Sequence, residues 1–318
     1  MGNDLFGYQT TIRERVSLSG VGVHCGLGVS VTLLPADANT GIVFHKTGAN
    51  GDIDEVRAVS HETGPTDLCT VLGKGEKSRI ATVEHIMATL SALGIDNIII
   101  VLDGGEVPIM EGSGQAFVEA IDEAGIMIQA AKRRYIRVTK AVRVDQGGSW
   151  AEFRPYEGTR YEVEIDFECP LIGRQVYAGD MTPEAYRRDI ARARTFGFIR
   201  HVEHLWASGH ALGSSLENSV VIGDDDRVVN QGGLRWPDEF VRHKTLDAIG
   251  DLALAGAQFI GCYRSYRGGH KLNAMALRAL LSDNSSFEIV ESKRLVRRGG
   301  AGVELVAVNS PVFSPWML

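Results

Sequence analysis

Two stretches of the chain repeat apolar residues at the spacing of an α-helix. Residues 79–90 and 240–251 each place apolar side chains three or four positions apart, along one side. We predict a helix in each stretch, the first with Thr82 as its N-cap. Shorter apolar runs, such as residues 98–102, have the length of a buried strand and are too short to span a bilayer.

The two halves of the chain share a longer pattern of a strand, a turn and a second strand, followed later by one of these helices. The paired segments are 31–35 with 41–44, and 151–155 with 161–165. Each helix then contains Val-x-His, and a β-rich run comes after it. This layout predicts the α+β class. We expect two related layered β/α domains, an internal duplication, with the active site between them. Chance is the alternative, since the halves share little identity.

The same pattern predicts the domain boundaries. The first β/α domain is expected to cover residues 1–130 and the second residues 131–295, with a C-terminal tail at 296–318. A basic cluster at 132–134 is expected to separate a helical run from the next strand. The chain of 318 residues also exceeds the usual size of a single hydrophobic core.

Composition narrows the function classes. The chain is 44% hydrophobic and 23% charged, which is typical of a soluble globular protein. Its net charge of −7 disfavours a nucleic-acid or anionic-membrane partner. Four widely spaced cysteines predict reduced thiols rather than disulfides or a structural zinc site. Because the N-terminus lacks a signal-like segment and no run is long enough to cross a membrane, we expect a cytoplasmic protein. We also expect a monomer.

The predicted helices carry candidate metal ligands. His243, Asp247 and Asp251 lie four and eight residues apart, so a helix places them on one face. An imidazole and a carboxylate one turn apart can hold zinc and leave a coordination position for water. The other helix adds His85 as a third ligand and Glu84 as a base for that water. Taken singly, the segment with His243 is better explained as a solvated helix face, and the segment with His85 as a partly buried histidine beside a solvated glutamate. The combination of the two segments favours a metal hydrolase.

Seven short strings follow one another along the chain. They are GVGVHCG at 20–26, LCT at 68–70, TVEH at 82–85, LGIDN at 93–97, PIMEGS at 108–113, RARTFGF at 192–198 and DEFVRHK at 238–244. In this set and order the chain resembles the UDP-3-O-acyl-N-acetylglucosamine deacetylases, the zinc amidases of lipid A biosynthesis in Gram-negative bacteria. That family usually has Asp where Glu111 stands here, so Glu111 is given no role.

The resemblance implies a catalytic role for several residues. The implied zinc ligands are His85, His243 and Asp247, and Fe²⁺ can occupy the same ligand set. The implied catalytic residues are Glu84 as general base, His270 as general acid, Asp251 as the carboxylate that favours protonated His270, and Thr195 as a hydroxyl for the oxyanion. A surface turn remains the alternative reading of His270, which follows two glycines.

The resemblance also implies substrate contacts. Lys244 is expected to bind the diphosphate, Phe196 to pack on the hexose, and Asp166 with Phe167 to contact uridine. Cys69 is expected close to the metal and the substrate. A solvated lysine and core phenylalanines explain the same positions without any substrate.

These expectations predict a zinc-dependent amidohydrolase. It would hydrolyse the N-acetyl amide of UDP-3-O-(3-hydroxyacyl)-N-acetylglucosamine to the free 2-amine and acetate, the committed step of lipid A biosynthesis. One alternative is a zinc amidase or deacetylase acting on a different N-acyl substrate. Another is a non-catalytic metal- or nucleotide-binding protein, against which Glu84 argues, because a structural zinc site closes all four positions and needs no base.

Overall fold

Helices and strands are mixed from residue 8 to residue 292, which confirms the predicted α+β class. The structure is a computed structural model that describes residues 7–48 and 50–292 and the backbone of 305–307. Within these residues the helices are α1 (Glu84–Leu93), α2 (Gln115–Ala124), α3 (Pro183–Ala185), α4 (Ile199–Ala207), α5 (Glu239–Ala253) and α6 (His270–Ser282), with a 3-10 turn at Ser60–Glu62 and a π-helical turn at Tyr186–Ile190.

The strands of the described residues follow in chain order. They are β1 (Tyr8–Ile12), β2 (Val16–Val21), β3 (Gly28–Pro35), β4 (Ile42–Thr47), β5 (Ile53–Arg57), β6 (Ile98–Leu102), β7 (Ile126–Lys132), β8 (Arg134–Val138), β9 (Val142–Gln146), β10 (Ser149–Arg154), β11 (Thr159–Asp166), β12 (Arg174–Asp180), β13 (Phe196–Phe198), β14 (Val220–Ile222), β15 (Gln258–Tyr266), β16 (Phe287–Ser292) and β17 (Leu305–Ala307).

Two sheets repeat one strand order. The sheet of the first half runs β2-β3-β6-β4-β5, and that of the second half contains β9-β10-β15-β11-β12. In both, the third strand pairs parallel with the fourth, while the other neighbours are antiparallel. Strands β8, β16 and β17 extend the second sheet, and β1 pairs with β7 separately. An internal duplication would produce such a repeat; the duplication and the domain boundaries stay predictions.

Helices α1 and α5 pack against each other inside the molecule. Apolar residues of both sheets and both helices form one continuous core. Each helix is buried on nearly every side, so its polar side chains lie away from bulk water. The helices approach most closely at Gly250, where a Cβ would overlap the backbone carbonyl of Glu84. Glycine here lets α5 contact the first turn of α1 directly.

Two local expectations were wrong. Thr82 does not cap α1: Val83 is the N-cap residue, Thr82 has φ 59°, and its hydroxyl donates to the Glu106 carboxylate. The basic cluster at 132–134 does not follow a helical run, because β7 ends and β8 begins there. Arg133, between them, is 1% exposed because its guanidinium pairs with Asp96. A charged side chain can be buried when it has a partner of opposite charge.

The predicted tail at 296–318 lies outside the described residues, apart from the β17 backbone. That strand pairs antiparallel with β16. None of the helices in the described ranges has the length and apolar character needed to cross a membrane.

Candidate metal centre and acid–base site

Three side chains from the central helices converge in a buried cluster. His85 comes from the start of α1, and His243 and Asp247 come from successive turns of α5. One ligand atom of each lies within 4.8 Å of the others. His243 Nε2 is 3.3 Å from Asp247 Oδ1, and His85 Nε2 is 3.8 Å from that oxygen. Helical spacing aligns the two α5 residues, and helix packing brings the third to them.

The protonation states of the cluster are those of metal ligands. Burial lowers the pKa of His85 to about 3, and it also lowers the pKa of His243, so both imidazoles are neutral at neutral pH. Burial opposes ionisation of Asp247, but the histidines and the Lys244 ammonium around it lower the pKa of this carboxyl far below its usual range. Neutral imidazole and ionised carboxylate are the forms that bind a metal ion.

The hydrogen bonds of His243 show that the cluster suits a cation. Its Nδ1 lies 3.0 Å from the carbonyl oxygen of Ala193, which can only accept, so Nδ1 carries the proton and Nε2 has a lone pair. That lone pair faces an ionised oxygen of Asp247 without a proton between them. A cation between these acceptors removes the conflict. Two imidazoles and one carboxylate are also the donor set of many catalytic metal sites. The residues present fit a metal ion.

A second buried group lies beside the cluster and contains Glu84, His270 and Asp251. His270 Nδ1 donates to Asp251 Oδ2 over 2.9 Å, and His270 Nε2 is 3.8 Å from Glu84 Oε1. Burial raises the pKa of Glu84 to about 7. Burial disfavours protonated His270, but the carboxylates of Asp251 and Glu84 outweigh it and raise the pKa of His270 to about 9. The site thus holds a proton acceptor and a proton donor near neutral pH.

His270 is not in a surface turn. It is the first residue of α6, directly after the N-cap residue Gly269, and is 8% exposed. The structure therefore brings His270 and Asp251 together, a contact that sequence spacing could not establish.

Three residues that sequence reasoning missed complete this second group. Thr70 donates its backbone N–H to Glu84 Oε2 over 3.0 Å and its hydroxyl to Asp251 Oδ1. Asn273 donates to Asp251 Oδ2 over 2.7 Å and accepts from the Tyr263 hydroxyl over 2.6 Å. Asp251 consequently receives three hydrogen bonds, which fix the orientation of its imidazole partner. The LCT string contained Thr70, but nothing in its local sequence indicates these contacts.

Thr195 lies on a short segment alongside α5. Its backbone N–H donates to the carbonyl of Gly112 over 2.7 Å, and its own carbonyl accepts from Val220 over 2.8 Å. Thr195 is two residues beyond Ala193, whose carbonyl contacts His243. The backbone therefore places Thr195 next to the His243 side of the cluster.

Aromatic rings line the same side of the cluster. The ring centroid of Phe196 is 6.3 Å from that of His243 and 5.8 Å from that of Phe167. Both phenylalanines are partly buried and pack on the core. These two predicted substrate-binding residues are thus in direct contact with each other, on the His243 side of the cluster.

Lys244 and Asp166, the two charged residues predicted to contact substrate, already have partners in the structure. Lys244 donates from Nζ to Asp247 Oδ2 over 2.8 Å, and its side chain is 23% exposed. Asp166, the last residue of β11, accepts from the Tyr266 hydroxyl over 2.8 Å. Lys244 therefore orients a cluster carboxylate while still reaching solvent.

Comparison with known proteins agrees with this geometry. The model of the UDP-3-O-acyl N-acetylglycosamine deacetylase family matches residues 9–282. The UDP-3-O-acyl-N-acetylglucosamine deacetylase of Brucella ovis is 60% identical over 285 residues, which cover 90% of this chain and 99% of that protein. Those of Brucella canis and Brucella melitensis biotype 2 match to the same extent. The chain belongs to this deacetylase family. It is therefore an enzyme, an amidohydrolase, and the resemblance found in its seven strings is confirmed.

The family is metal-dependent, and in this deacetylase the group His85, His243 and Asp247 can hold the ion. Cys69 lies close to Glu84 and is not a thiolate. Burial, and then the Glu84 carboxylate, raise the pKa of the Cys69 thiol to about 12.

Glu106 is a further residue of this deacetylase that sequence reasoning missed. Its buried carboxylate accepts the backbone N–H groups of residues 24 and 25 and the hydroxyl of Thr82, each over 2.9 Å. Glu106 thus fastens the loop at 20–26 to the residue two positions before Glu84. Its signal in the sequence was an acidic residue placed between glycines and a Val-Pro pair, which is too common to be informative.

Proposed function

We propose that this enzyme hydrolyses the N-acetyl amide of UDP-3-O-(3-hydroxyacyl)-N-acetylglucosamine, giving the free 2-amine and acetate, the committed step of lipid A biosynthesis. The observation that carries the proposal is a proton acceptor and a proton donor, Glu84 and His270, buried beside a group of metal ligands. The chain is also 60% identical to proteins named for this deacetylation.

The proposed metal is Zn²⁺, with Fe²⁺ as the alternative, held by His85, His243 and Asp247. When bound, it lowers the pKa of water and polarises the substrate carbonyl. Ala193 fixes the tautomer of His243, and Lys244 holds the second oxygen of Asp247. These contacts leave Nε2 of His243 and Oδ1 of Asp247 directed into the cluster.

The acid–base steps fall to residues of the chain. Glu84, with a pKa near 7, accepts a proton from the attacking water, and a bound cation lowers that pKa further. His270, held protonated by Asp251, donates a proton to the departing amine. The Thr195 hydroxyl donates to the oxygen on which negative charge develops. Loss of one such donor typically costs about 3 kcal/mol of transition-state stabilisation.

The proposed substrate contacts follow the positions of the remaining side chains. Lys244 attracts the diphosphate, and Phe196 with Phe167 offers ring surfaces to the hexose and uracil. Asp166 accepts a hydrogen bond from uridine at the end of β11. Cys69, buried against Glu84, forms part of the wall near the metal.

The test is acetate release from the named substrate by purified protein, with bound metal measured on the same sample. We expect turnover in proportion to one Zn²⁺ or Fe²⁺ per chain. Glu84→Gln should keep the metal and lower kcat by at least about a hundredfold. The control is Glu123→Gln on the exposed surface of α2, which should leave both unchanged. A folded, metal-loaded protein that leaves this substrate untouched would falsify the proposal.

The same assay separates the two alternatives. An amidase for another N-acyl substrate would process UDP-sugars with and without the 3-O-acyl chain equally, or neither of them. A non-catalytic metal-binding protein would bind the ion but show no turnover that depends on Glu84.

We further propose that the enzyme acts in the cytoplasm as a monomer, without a nucleic-acid partner. Light scattering coupled to size exclusion tests the oligomeric state. A mass of twice the 34.5 kDa chain would contradict the monomer.

A further inference from the structure

Residues 191–195 form a segment that touches two parts of the proposed site at once. Ala193 accepts from His243 Nδ1, and Thr195 is the proposed oxyanion donor. On one side the segment is held by the loop at 110–114, through bonds from Gly114 N–H to the carbonyl of Ala191 and from Thr195 N–H to the carbonyl of Gly112. Its other side faces the start of α5, where one residue accepts hydrogen bonds directly from the segment.

That residue is Glu239, the first of α5, which is fully buried. Its Oε1 accepts from the backbone N–H of Arg194 over 3.1 Å and from Arg194 Nε over 2.8 Å. Its Oε2 accepts from Arg194 Nη2 over 3.0 Å and from the backbone N–H of Arg235 over 2.6 Å. Arg194 Nη2 also donates to the Gly233 carbonyl over 2.8 Å. Both oxygens are therefore used, in a two-pronged pair with one guanidinium.

The pair is ionised in the folded protein. Burial favours the neutral acid, but the hydrogen bonds from Arg194 and from the Arg235 backbone outweigh it and lower the pKa of Glu239 below its ordinary value. Such a buried pair is geometrically rigid, because the planar guanidinium and the carboxylate fit in one orientation.

We propose that Glu239 and Arg194 are positioning residues, which set the Ala193 carbonyl against the metal ligand His243 and the Thr195 hydroxyl at the reacting carbonyl. Arg194 lies directly between Ala193 and Thr195, so a shift of its side chain moves both neighbours. Neither member of the pair is among the proposed substrate contacts. The inference rests on the proposed metal site and deepens it, by naming what holds the acceptor of a ligand histidine in place.

The physical basis is the acceptor behind a ligand imidazole. An acceptor at Nδ1 fixes the tautomer and ring orientation, and its loss typically lowers metal affinity by about 10–100-fold. A displaced Thr195 lowers kcat, because it acts on charge that develops only in the transition state. The KM for substrate should change little, since the two side chains of the pair hydrogen-bond to each other and to the backbone of residues 194, 233 and 235 rather than to the proposed substrate contacts.

Three variants separate positioning from folding. Arg194→Lys keeps a positive charge opposite Glu239 but loses the two-pronged geometry. Glu239→Gln keeps the shape and removes the charge. The double variant Arg194→Met/Glu239→Leu leaves no unpaired buried charge, and replacing a buried ion pair in this way often preserves stability. Asp238→Asn is the matched control, because the Asp238 carboxylate precedes Glu239 in the chain and pairs with Arg242 rather than with Arg194.

The first readout is Co²⁺ affinity of the apoprotein, from its absorption spectrum under competition with a chelator. The second is the separation of kcat from KM in the zinc-loaded enzyme. Thermal unfolding of the apoprotein reports folding. We expect Arg194→Lys and the double variant to fold, to bind Co²⁺ about 10–100-fold more weakly, and to lose kcat at nearly constant KM. Asp238→Asn should match the wild type in all three.

Wild-type Co²⁺ affinity and kcat in a folded Arg194→Lys variant would overturn the inference, whatever Glu239→Gln does. Equal losses in Asp238→Asn would also overturn it, since they would reflect the helix end rather than this pair. Co²⁺ binding needs no substrate. Failure of the proposed deacetylation therefore shows as absent turnover in the wild type, whereas failure of this inference shows as unchanged affinity in the variants.

Discussion

Asp251 controls the charge of the proposed general acid through three hydrogen bonds. It accepts from Thr70, Asn273 and His270, and none of these donors is exposed to bulk water. A carboxylate fixed in this way cannot rotate away from the imidazole when His270 gives up its proton. The orientation of the ring and its affinity for a proton are thus set by the same residue.

Asp251→Asn should move the alkaline limb of kcat/KM to lower pH. The carboxylate of Asp251 contributes to raising the pKa of His270 to about 9. Without that charge the pKa falls, so the imidazole loses its proton at a lower pH and activity is lost earlier as pH rises. We expect a shift of roughly one to two pH units, measured in pH–rate profiles of both proteins.

The comparison is made between two metal-loaded enzymes, so the effect of the bound cation on the titration is common to both. Tyr263→Phe serves as the control, because it removes only a hydroxyl that donates a hydrogen bond to Asn273. It should leave the limb close to its wild-type position. An unmoved limb in Asp251→Asn would show that His270 is not the titrating acid.

At the scale of elements, the site depends on how closely α1 and α5 approach. Glu84, the proposed base, and His85, a proposed ligand, open α1, whereas His243, Asp247 and Asp251 occupy successive turns of α5. Gly250 makes the contact possible, since it adds no side chain between the helix backbones. The helix pair, rather than either helix, is the unit that carries the proposed chemistry.

Gly250→Ala should destabilise the protein and weaken metal binding. Its Cβ would overlap the Glu84 carbonyl, so α5 must shift away from α1. Overpacking of this kind typically costs about 1–3 kcal/mol, and a backbone obstacle belongs at the upper end. Urea unfolding of the apoprotein and Co²⁺ affinity provide the measurements. Gly28→Ala is the matched control, since nothing lies within 4 Å of its added Cβ. Equal stability of the two variants would show that the helices have room to separate.

The sequence predicted the elements better than the contacts between them. Helical spacing placed His243, Asp247 and Asp251 on one face, because that depends only on residues within a few positions. Thr70 and Asn273 reach Asp251 from 181 and 22 residues away, and this depends on tertiary packing. The capping pattern failed at Thr82, because Glu106 offered its hydroxyl a better partner. The expected helical run before the basic cluster at 132–134 was wrong because residues 126–132 form β7, and this strand pairs with β1 at the far end of the half-chain.

At the scale of the whole molecule, a buried ion pair links distant parts of the chain. Arg133, between β7 and β8, donates to Asp96 at the end of the α1–β6 loop and to the carbonyl of Gly94. Asp96 also accepts from the backbone N–H of Thr10 on β1. The predicted boundary between domains therefore coincides with a tight connection rather than with an exposed linker.

Arg133→Met should lower the free energy of unfolding by about 3–5 kcal/mol, because it leaves the Asp96 carboxylate without its partner. Arg134→Met, at the neighbouring and more exposed position, should change it by less than about 1 kcal/mol. Urea denaturation measures both. Similar values for the two would mean that the buried pair contributes no more than a surface pair.

Metal removal should destabilise the whole molecule, because the proposed ligands come from both halves of the chain. A ligand present at a hundred times its Kd adds about 2.7 kcal/mol of stability to the folded state. Calorimetry with and without a chelator should show a Tm lower by at least about 5 °C in the apoprotein. His243→Ala should abolish the difference. A chelator-independent Tm in the wild type would contradict a metal bound within the folded core.

The direct contact of α5 with α1 at Gly250 has a consequence for how new substrates can be accommodated. No side chain lies between the two helix backbones there. A change of rotamer therefore cannot alter the distance between the proposed base and the proposed ligands when a larger or smaller molecule enters. Adaptation to a different molecule therefore falls to residues outside this helix contact. Substitutions of those residues can change which molecule fits while the distance between Glu84 and the ligands on α5 stays constant.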